Sequence, residues 1–236
     1  MPLNVVKFDE TFETQMYIIN GNILYIAFQD YGYLQDVITR ASEYHENKHF
    51  MGKYFTYNEF KAHYLGFVKT NGLSLNASDN FTFGRDWSGF NLSGRKMEMF
   101  WQTFDDIDNG RELSQDEQWL KSTIVKFIDT VVAGGKMRNS NDWYLICTDG
   151  NCLPETCDAE IEMEAVGGLL AHELRHAFYY LDQNYNNVVY ENWNKLSDTE
   201  RDCITQAVDN MGGYNINNTD LVIDEAQAYG YINNFS

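Results

Sequence analysis

The sequence of 236 residues predicts one α+β domain, in which a small sheet precedes a mainly helical part. Short apolar runs bounded by Gly, Asn and Ser are frequent in residues 1–140, and apolar residues recur at helical spacing in residues 141–236. There is no internal repeat or proline-rich linker that would mark a domain boundary. We therefore expect a single domain over residues 1–236, strand-rich up to residue 140 and mainly helical after it.

The predicted strands are short. Apolar segments flank Asn20-Gly21 within residues 17–26, and this dipeptide suits the two-residue turn of a hairpin. Residues 73–104 alternate short apolar runs with Gly, Asn and Ser, which predicts a meander of short strands. Residues 143–148 are mainly aromatic and aliphatic and precede Asp149-Gly150, a pair that favours a turn, so they predict a further strand.

Helices are predicted where apolar residues recur every three to four positions. Residues 34–41 show this spacing. Three later helices are preceded by Ser or Thr with Glu three positions on, the signature of a capping box; the pairs are Thr56–Glu59, Ser114–Glu117 and Ser197–Glu200. Two further helices are expected over residues 161–182 and 220–232.

The charge of the chain excludes several kinds of partner. With 35 acidic and 17 basic side chains, the formal net charge is −18, which disfavours binding to nucleic acid or to an anionic membrane surface. No apolar run is long enough to span a bilayer, and the first residues lack the pattern of a signal peptide. We therefore expect a cytoplasmic protein or one exported by a route without a signal peptide.

Four of the five histidines belong to two copies of the pattern His-Glu-x-x-His, at residues 45–49 and 172–176. On a helix, side chains four positions apart lie on the same side, one turn apart. Two such imidazoles can bind one Zn²⁺ ion, and the Glu between them then stands beside the open ligand position. The pattern is short, so the surrounding sequence must distinguish the two copies.

The surroundings favour the second copy. Residues 164–171 before it are mainly apolar and small, which predicts a buried helix, whereas one lysine lies inside the first copy and another follows it. A lysine repels a metal cation, so we expect His45 and His49 to lie at a solvated helix end. For the second copy, the alternative is a core helix whose histidines bond to neighbouring groups. The predicted site residues in this copy are His172, Glu173 and His176.

The predicted third metal ligand is Glu225, in the segment of residues 221–229. The small residues Ala226 and Ala228 would let its helix approach the histidine helix closely, so that a carboxylate oxygen reaches the metal. One alternative is that Glu225 is a surface acid on an amphipathic helix. Another is that Asp224 is the ligand, or accepts a hydrogen bond that orients one of the histidines.

These two segments together resemble the zincin metallopeptidases, and among them the gluzincin type. The resemblance rests on His172-Glu173-x-x-His176 followed by Glu225-Ala226-x-Ala228-Tyr229, and it covers residues 161–232. It implies a small, twisted antiparallel or mixed N-terminal sheet whose edge strand lines the substrate cleft. It further implies an active-site helix and a C-terminal helix that carries the glutamate ligand.

The function expected from this pattern is a zinc-dependent endopeptidase. Glu173 would be the general base for the water that attacks the peptide bond, and Tyr229 would stabilise the oxyanion, with Tyr214 and Arg175 as alternatives. The substrate would be a protein or peptide, and the acidic chain favours basic segments in it. The alternatives are a non-catalytic zincin-like module that binds a protein, and a zinc-dependent hydrolase of a non-peptide amide. The predicted zinc ligands are His172, His176 and Glu225.

Overall fold

A mixed five-stranded sheet and eight α-helices form the part of the chain that the computed structural model describes, residues 3–70, 89–135, 142–149, 168–211 and 214–232. The strands are β1 (Val5–Glu10), β2 (Thr14–Ile19), β3 (Ile23–Phe28), β4 (Gly89–Ser93) and β5 (Tyr144–Asp149). The helices are α1 (Tyr31–Glu46), α2 (Tyr57–Thr70), α3 (Gly94–Phe104), α4 (Gln115–Ala133), α5 (Leu169–Leu181), α6 (Gln183–Lys195), α7 (Asp198–Met211) and α8 (Thr219–Ala228). The predicted α+β class is confirmed.

The sheet has the strand order β1-β2-β3-β5-β4. Among the described strands, only the β3–β5 pair is parallel, and β4 lies at one edge of the sheet, antiparallel to β5. The predicted hairpin is the β2–β3 pair, in which Ile19 pairs with Ile23. Asn20 and Gly21 both have positive φ angles, 52° and 83°, which is why this dipeptide suits the turn.

Each face of the sheet packs against its own set of helices, because successive side chains of a strand point to opposite faces. One face, with α1 to α4, forms a large aromatic and aliphatic core. The other face packs against α5 through Leu170, Leu174 and Ala177. A third apolar cluster joins α6 to α8 and includes Val189, Trp193, Val222 and Ala226. The two His-Glu-x-x-His segments therefore belong to helices on opposite faces of the sheet.

The predicted capping boxes are all present. In the box before α4, Ser114 accepts from the backbone N–H of Glu117, whose side chain accepts from the backbone of Ser114. The Thr56–Glu59 and Ser197–Glu200 pairs make the same two bonds. No helix in the described ranges is long and apolar enough to cross a membrane.

The predicted meander over residues 73–104 is wrong for residues 94–104, although residues 89–93 form the strand β4. Residues 94–104 form α3, which begins where the Ser93 side chain accepts from the backbone N–H of Lys96. Its apolar residues Met97, Phe100 and Phe104 recur at helical spacing and pack into the large core. Residues 71–88 lie outside the described residues. Up to residue 135, the described chain contains four helices as well as four strands, so the first part is not predominantly strand.

The helix predicted over residues 161–182 also differs from the structure. Gly168 has an extended backbone, with φ −93° and ψ 133°, and α5 begins after it; residues 161–167 lie outside the described residues. The helix ends at Leu181, because the side chain of Asp182 accepts backbone hydrogen bonds at the start of α6. The spacing of apolar residues did not predict α6. The last helix, α8, ends at Ala228 rather than near residue 232.

Candidate metal centre

Helices α5 and α8 bring the three predicted metal ligands together. His172 and His176 lie one turn apart on α5, and Glu225 lies on the facing side of α8. The two Nε2 atoms are 3.1 Å apart, and Glu225 Oε1 is 3.8 Å from His176 Nε2. Within the described residues, these side chains form a group of one-atom donors, all within 4.8 Å of one another, that can hold a metal ion.

The backbone carbonyl of Ala228 joins the two helices. It accepts a hydrogen bond of 2.8 Å from Arg175 Nη1 and another from the imidazole of His172. Carbonyl groups in the last turn of a helix have no partner within the helix, so this one is available to side chains of α5. Arg175 is only 5% exposed. Its guanidinium group therefore serves to hold α8 against α5, which makes it a poor candidate for an oxyanion donor.

Asp224 orients His176. Its Oδ1 lies 2.7 Å from His176 Nδ1, and the same oxygen accepts from Gln227 Nε2, whose amide oxygen accepts in turn from Tyr185. Because an ionised carboxylate only accepts hydrogen bonds, Nδ1 carries a proton and Nε2 is directed at His172 and Glu225. Of the two roles considered for Asp224, this geometry corresponds to the orienting one.

The electrostatics of the centre favour a bound cation. Burial raises the pKa of Glu225 to about 8 and lowers that of His172 to about 3. Burial also opposes a charge on His176, but the carboxylates of Asp224 and Glu225 outweigh it and raise its pKa to about 10. The two carboxylates therefore stabilise a positive charge beside His176.

One buried carboxylate oxygen lacks a hydrogen-bond partner, which favours a metal ion as its neighbour. Glu225 Oε2 is buried and has no hydrogen-bond partner within the described part of the chain. A buried polar atom without a partner is costly, and coordination to a cation would remove that cost. Ligands held at 2.0–2.1 Å around a tetrahedral ion stand about 3.3 Å apart, close to the distances found here. Two imidazole nitrogens and a carboxylate oxygen thus fit a divalent metal ion.

Glu173 lies between the metal centre and the edge strand β4. Its side chain is 4% exposed, and its Oε2 accepts a hydrogen bond of 2.7 Å from Asn91 Nδ2. Burial raises its pKa to about 7, against the opposing effects of His176 and Asn91. Asn91 was not predicted from the sequence; its one available signal was a polar residue between Phe90 and Leu92 in a short apolar segment.

Tyr229 also borders the centre. Its ring centroid is 4.4 Å from that of His172, and its hydroxyl group is hydrogen-bonded to Tyr214. Burial and the nearby carboxylate of Glu225 raise the pKa of the Tyr229 hydroxyl, so it keeps its proton at neutral pH. The side chain remains 38% exposed, so it is accessible to a molecule that approaches the centre from solvent.

The first His-Glu-x-x-His segment forms no such centre. Helix α1 ends at Glu46, so His49 lies beyond the helix and does not face the same side as His45. His45 Nε2 is 2.7 Å from the carbonyl oxygen of Lys96, and the ring of His49 stacks on His63 at 4.5 Å. The segment lies at a helix end, as predicted, but burial lowers the pKa of His45 to about 4, so this residue is less solvated than expected.

Comparison with known proteins adds no family to this picture. No family model, curated protein or solved structure matches the chain. The α+β fold and the His/His/Glu centre are therefore the features from which a function can be inferred.

Proposed function

We propose that this protein is a zinc-dependent endopeptidase in which His172, His176 and Glu225 bind Zn²⁺ and Glu173 is the general base. One observation carries the proposal. The buried carboxyl group of Glu173 lies on the same helix as His172 and His176. These two histidines and Glu225 form a group of three possible metal donors within the described chain. Catalytic zinc sites typically use three protein ligands and leave the fourth position open, which favours catalysis over a purely structural metal.

The metal ion and Glu173 would have different roles in the reaction. Zinc supplies Lewis acidity, which lowers the pKa of a water molecule and polarises a carbonyl group. Glu173 takes the proton from the attacking water and delivers it to the amine that leaves. Burial raises the pKa of Glu173 to about 7, and a base with a pKa near the working pH can both accept and return a proton.

Tyr229 is the proposed donor to the oxyanion. Its hydroxyl group keeps its proton, and its ring lies against the ligand His172. A donor placed where negative charge develops lowers the barrier, because it needs no rearrangement during the reaction. Tyr214, which bonds to the Tyr229 hydroxyl, holds that donor in place.

The proposed substrate is a protein or peptide, preferentially with basic segments. The edge strand β4 contacts α5, and an edge strand has backbone groups with which an extended peptide can pair. The net charge of −18 produces a field that attracts cationic segments.

The test compares Glu173 with an exposed glutamate outside the centre. The chain loaded with zinc is digested against a peptide library with and without a chelator, and its metal content is measured by elemental analysis. We expect Glu173→Gln to keep the metal and to lose turnover by about 10²–10⁴-fold, the usual contribution of a general base. Glu98→Gln, at an exposed position on α3, is the control, and we expect it to cleave like the unaltered chain.

Each alternative has its own result. Bound zinc without cleavage of any peptide would indicate a protein-binding module. Chelator-sensitive cleavage of other amides, with peptides left intact, would indicate an amidohydrolase. Undiminished proteolysis by Glu173→Gln would refute the proposed role of this residue.

A further inference from the structure

We propose that the edge strand β4 holds the carboxylate of Glu173 in a single orientation, with Asn91 as the positioning residue and Tyr144 as its support. The contact itself is independent of the proposed function. Its catalytic consequence rests on that function, because it requires Glu173 to act as the general base.

The side chain of Asn91 is fixed from both ends. Its Nδ2 donates to Glu173 Oε2 at 2.7 Å, and its Oδ1 accepts from the hydroxyl group of Tyr144. Tyr144 is 3% exposed, and burial raises the pKa of its hydroxyl well above the usual range, so the proton stays available for donation. A reversed amide would place its oxygen against the carboxylate oxygen, and neither of these atoms can donate a hydrogen bond when Glu173 is ionised. The carboxylate therefore determines that the amide donates to Glu173, and the hydroxyl of Tyr144, which can donate or accept, donates to the amide oxygen.

Gly89 lets the same strand approach the second carboxylate oxygen. Gly89 and Asn91 are two positions apart on β4, so they lie on the same face of the sheet. A Cβ atom at Gly89 would stand 2.4 Å from Glu173 Oε1 and 2.6 Å from Leu169 Cδ1, distances that no side chain can occupy. Both oxygens of Glu173 are thus in close contact with β4.

The strand can hold this position because its register is fixed. Gly89 pairs with Thr148 and Asn91 with Ile146 of β5, an inner strand of the sheet. A glutamate side chain has three rotatable bonds, and a base that samples several rotamers spends part of its time turned away from the reacting water. We therefore expect the bond from Asn91 to raise the fraction of Glu173 in the productive orientation, without touching the metal ligands.

The first test observes the contact without any activity. The side-chain amide signals of Asn91 are recorded by NMR in the metal-free protein and identified by their loss in Asn91→Asp. We expect a signal shifted downfield by the charge-assisted bond, and we expect Glu173→Gln and Tyr144→Phe to move it. Ser93→Ala is the matched control, because Ser93 is equally part of β4 but caps α3 through Lys96 instead of contacting Glu173. It should move the signal far less.

The second test measures kinetics and zinc content. We expect Asn91→Ala to lower kcat by about 10–100-fold, the usual loss when a supporting residue is removed, while KM and the zinc content stay unchanged. Asn91→Asp keeps the shape but places a carboxylate against Glu173, and should lower kcat at least as far. Tyr144→Phe should lower kcat less, and should add little in the Asn91→Ala background. Ser93→Ala should lower the melting temperature and leave kcat unchanged.

The outcomes separate this proposal from the proposed function. Asn91 amide signals that do not respond to Glu173→Gln would overturn the contact, whatever the protein catalyses. If the protein cleaves peptides but Asn91→Ala has the same kcat as Ser93→Ala, the positioning role of Asn91 is overturned. If the zinc-loaded chain cleaves nothing, the proposed function fails, and the NMR result alone decides whether β4 holds Glu173.

Discussion

The two His-Glu-x-x-His segments have the same five-residue pattern, but one lies within α5 and the other at the end of α1, on opposite faces of one sheet. The second lies within α5, so His172 and His176 stand one turn apart and face the same partner helix. The first straddles the end of α1, and His49 falls outside the helix. The comparison teaches that the pattern forms a candidate metal site where one helix continues through all its positions and another element supplies a third donor.

The two segments also differ in which imidazole nitrogen is free. The Nε2 atom of His45 is used by the carbonyl group of Lys96. In His176, Asp224 binds Nδ1 and leaves Nε2 directed at the other ligands. Burial disfavours a charge on both histidines, but their neighbours differ. The pKa of His45 falls to about 4, whereas the carboxylates around His176 outweigh burial and raise its pKa to about 10. Carboxylates that can stabilise a cation thus adjoin His176 of the second segment.

The largest effect expected from mutations in the two segments is a loss of bound metal. We expect His176→Ala to reduce the bound metal from about one ion per chain to nearly none, because two remaining ligands hold a divalent ion weakly. His49→Ala should retain the metal, since His49 contacts His63 rather than the centre. Elemental analysis after gel filtration measures both. Loss of metal from His49→Ala would mean that the first segment contributes to binding.

A smaller effect is expected from a mutation that removes the carboxylate beside His176 Nδ1. We expect Asp224→Asn to weaken metal binding by about 10–100-fold, because an amide is a poorer acceptor for the Nδ1 proton of His176. Asp209→Asn, an exposed position on α7, is the matched control and should bind metal normally. Competition with a chromogenic chelator gives the affinities. Equal affinities for the two variants would contradict an orienting role for Asp224.

The smallest effect concerns stability near the first segment, where burial raises the pKa of Glu43 on α1 to about 8 from an ordinary value of 4.5. The folded chain thus binds this proton more tightly than the unfolded chain. The stabilisation is complete below pH 4.5 and is lost as the pH rises towards 8. We expect Glu43→Gln to be more stable than the unaltered chain at pH 8, by about 1–2 kcal/mol, and to show less advantage at pH 5.5.

Urea unfolding of the metal-free protein at the two pH values measures this difference, and Glu98→Gln, at an exposed position on α3, is the control. The Gln variant can keep the hydrogen bond that Asn47 Nδ2 makes to Glu43 Oε2. A Glu43→Gln variant with the same pH dependence as the unaltered chain would show that Glu43 does not titrate in this range.

Features that depend on neighbours in the chain could be predicted, and features that depend on distant contacts could not. The β2–β3 hairpin and the capping box at Ser114 follow from residues a few positions apart, and both are present. In contrast, α3 was predicted as strand, because its aromatic residues suit either structure. Packing into the large core determines the helix. The contact of Asn91 with Glu173 spans 82 positions and left no local pattern.

By itself, the sequence determined the α+β class, the histidine pair of α5 and the acidic charge, because each follows from composition or from spacing along one helix. The tertiary structure decided which of the two motif copies has a third donor. It also decided that Asp224 faces a histidine nitrogen while Glu225 joins the metal group, although the two residues are adjacent in sequence. Adjacent positions on a helix point about 100° apart, so only the packing of α8 against α5 determines which carboxylate reaches the centre.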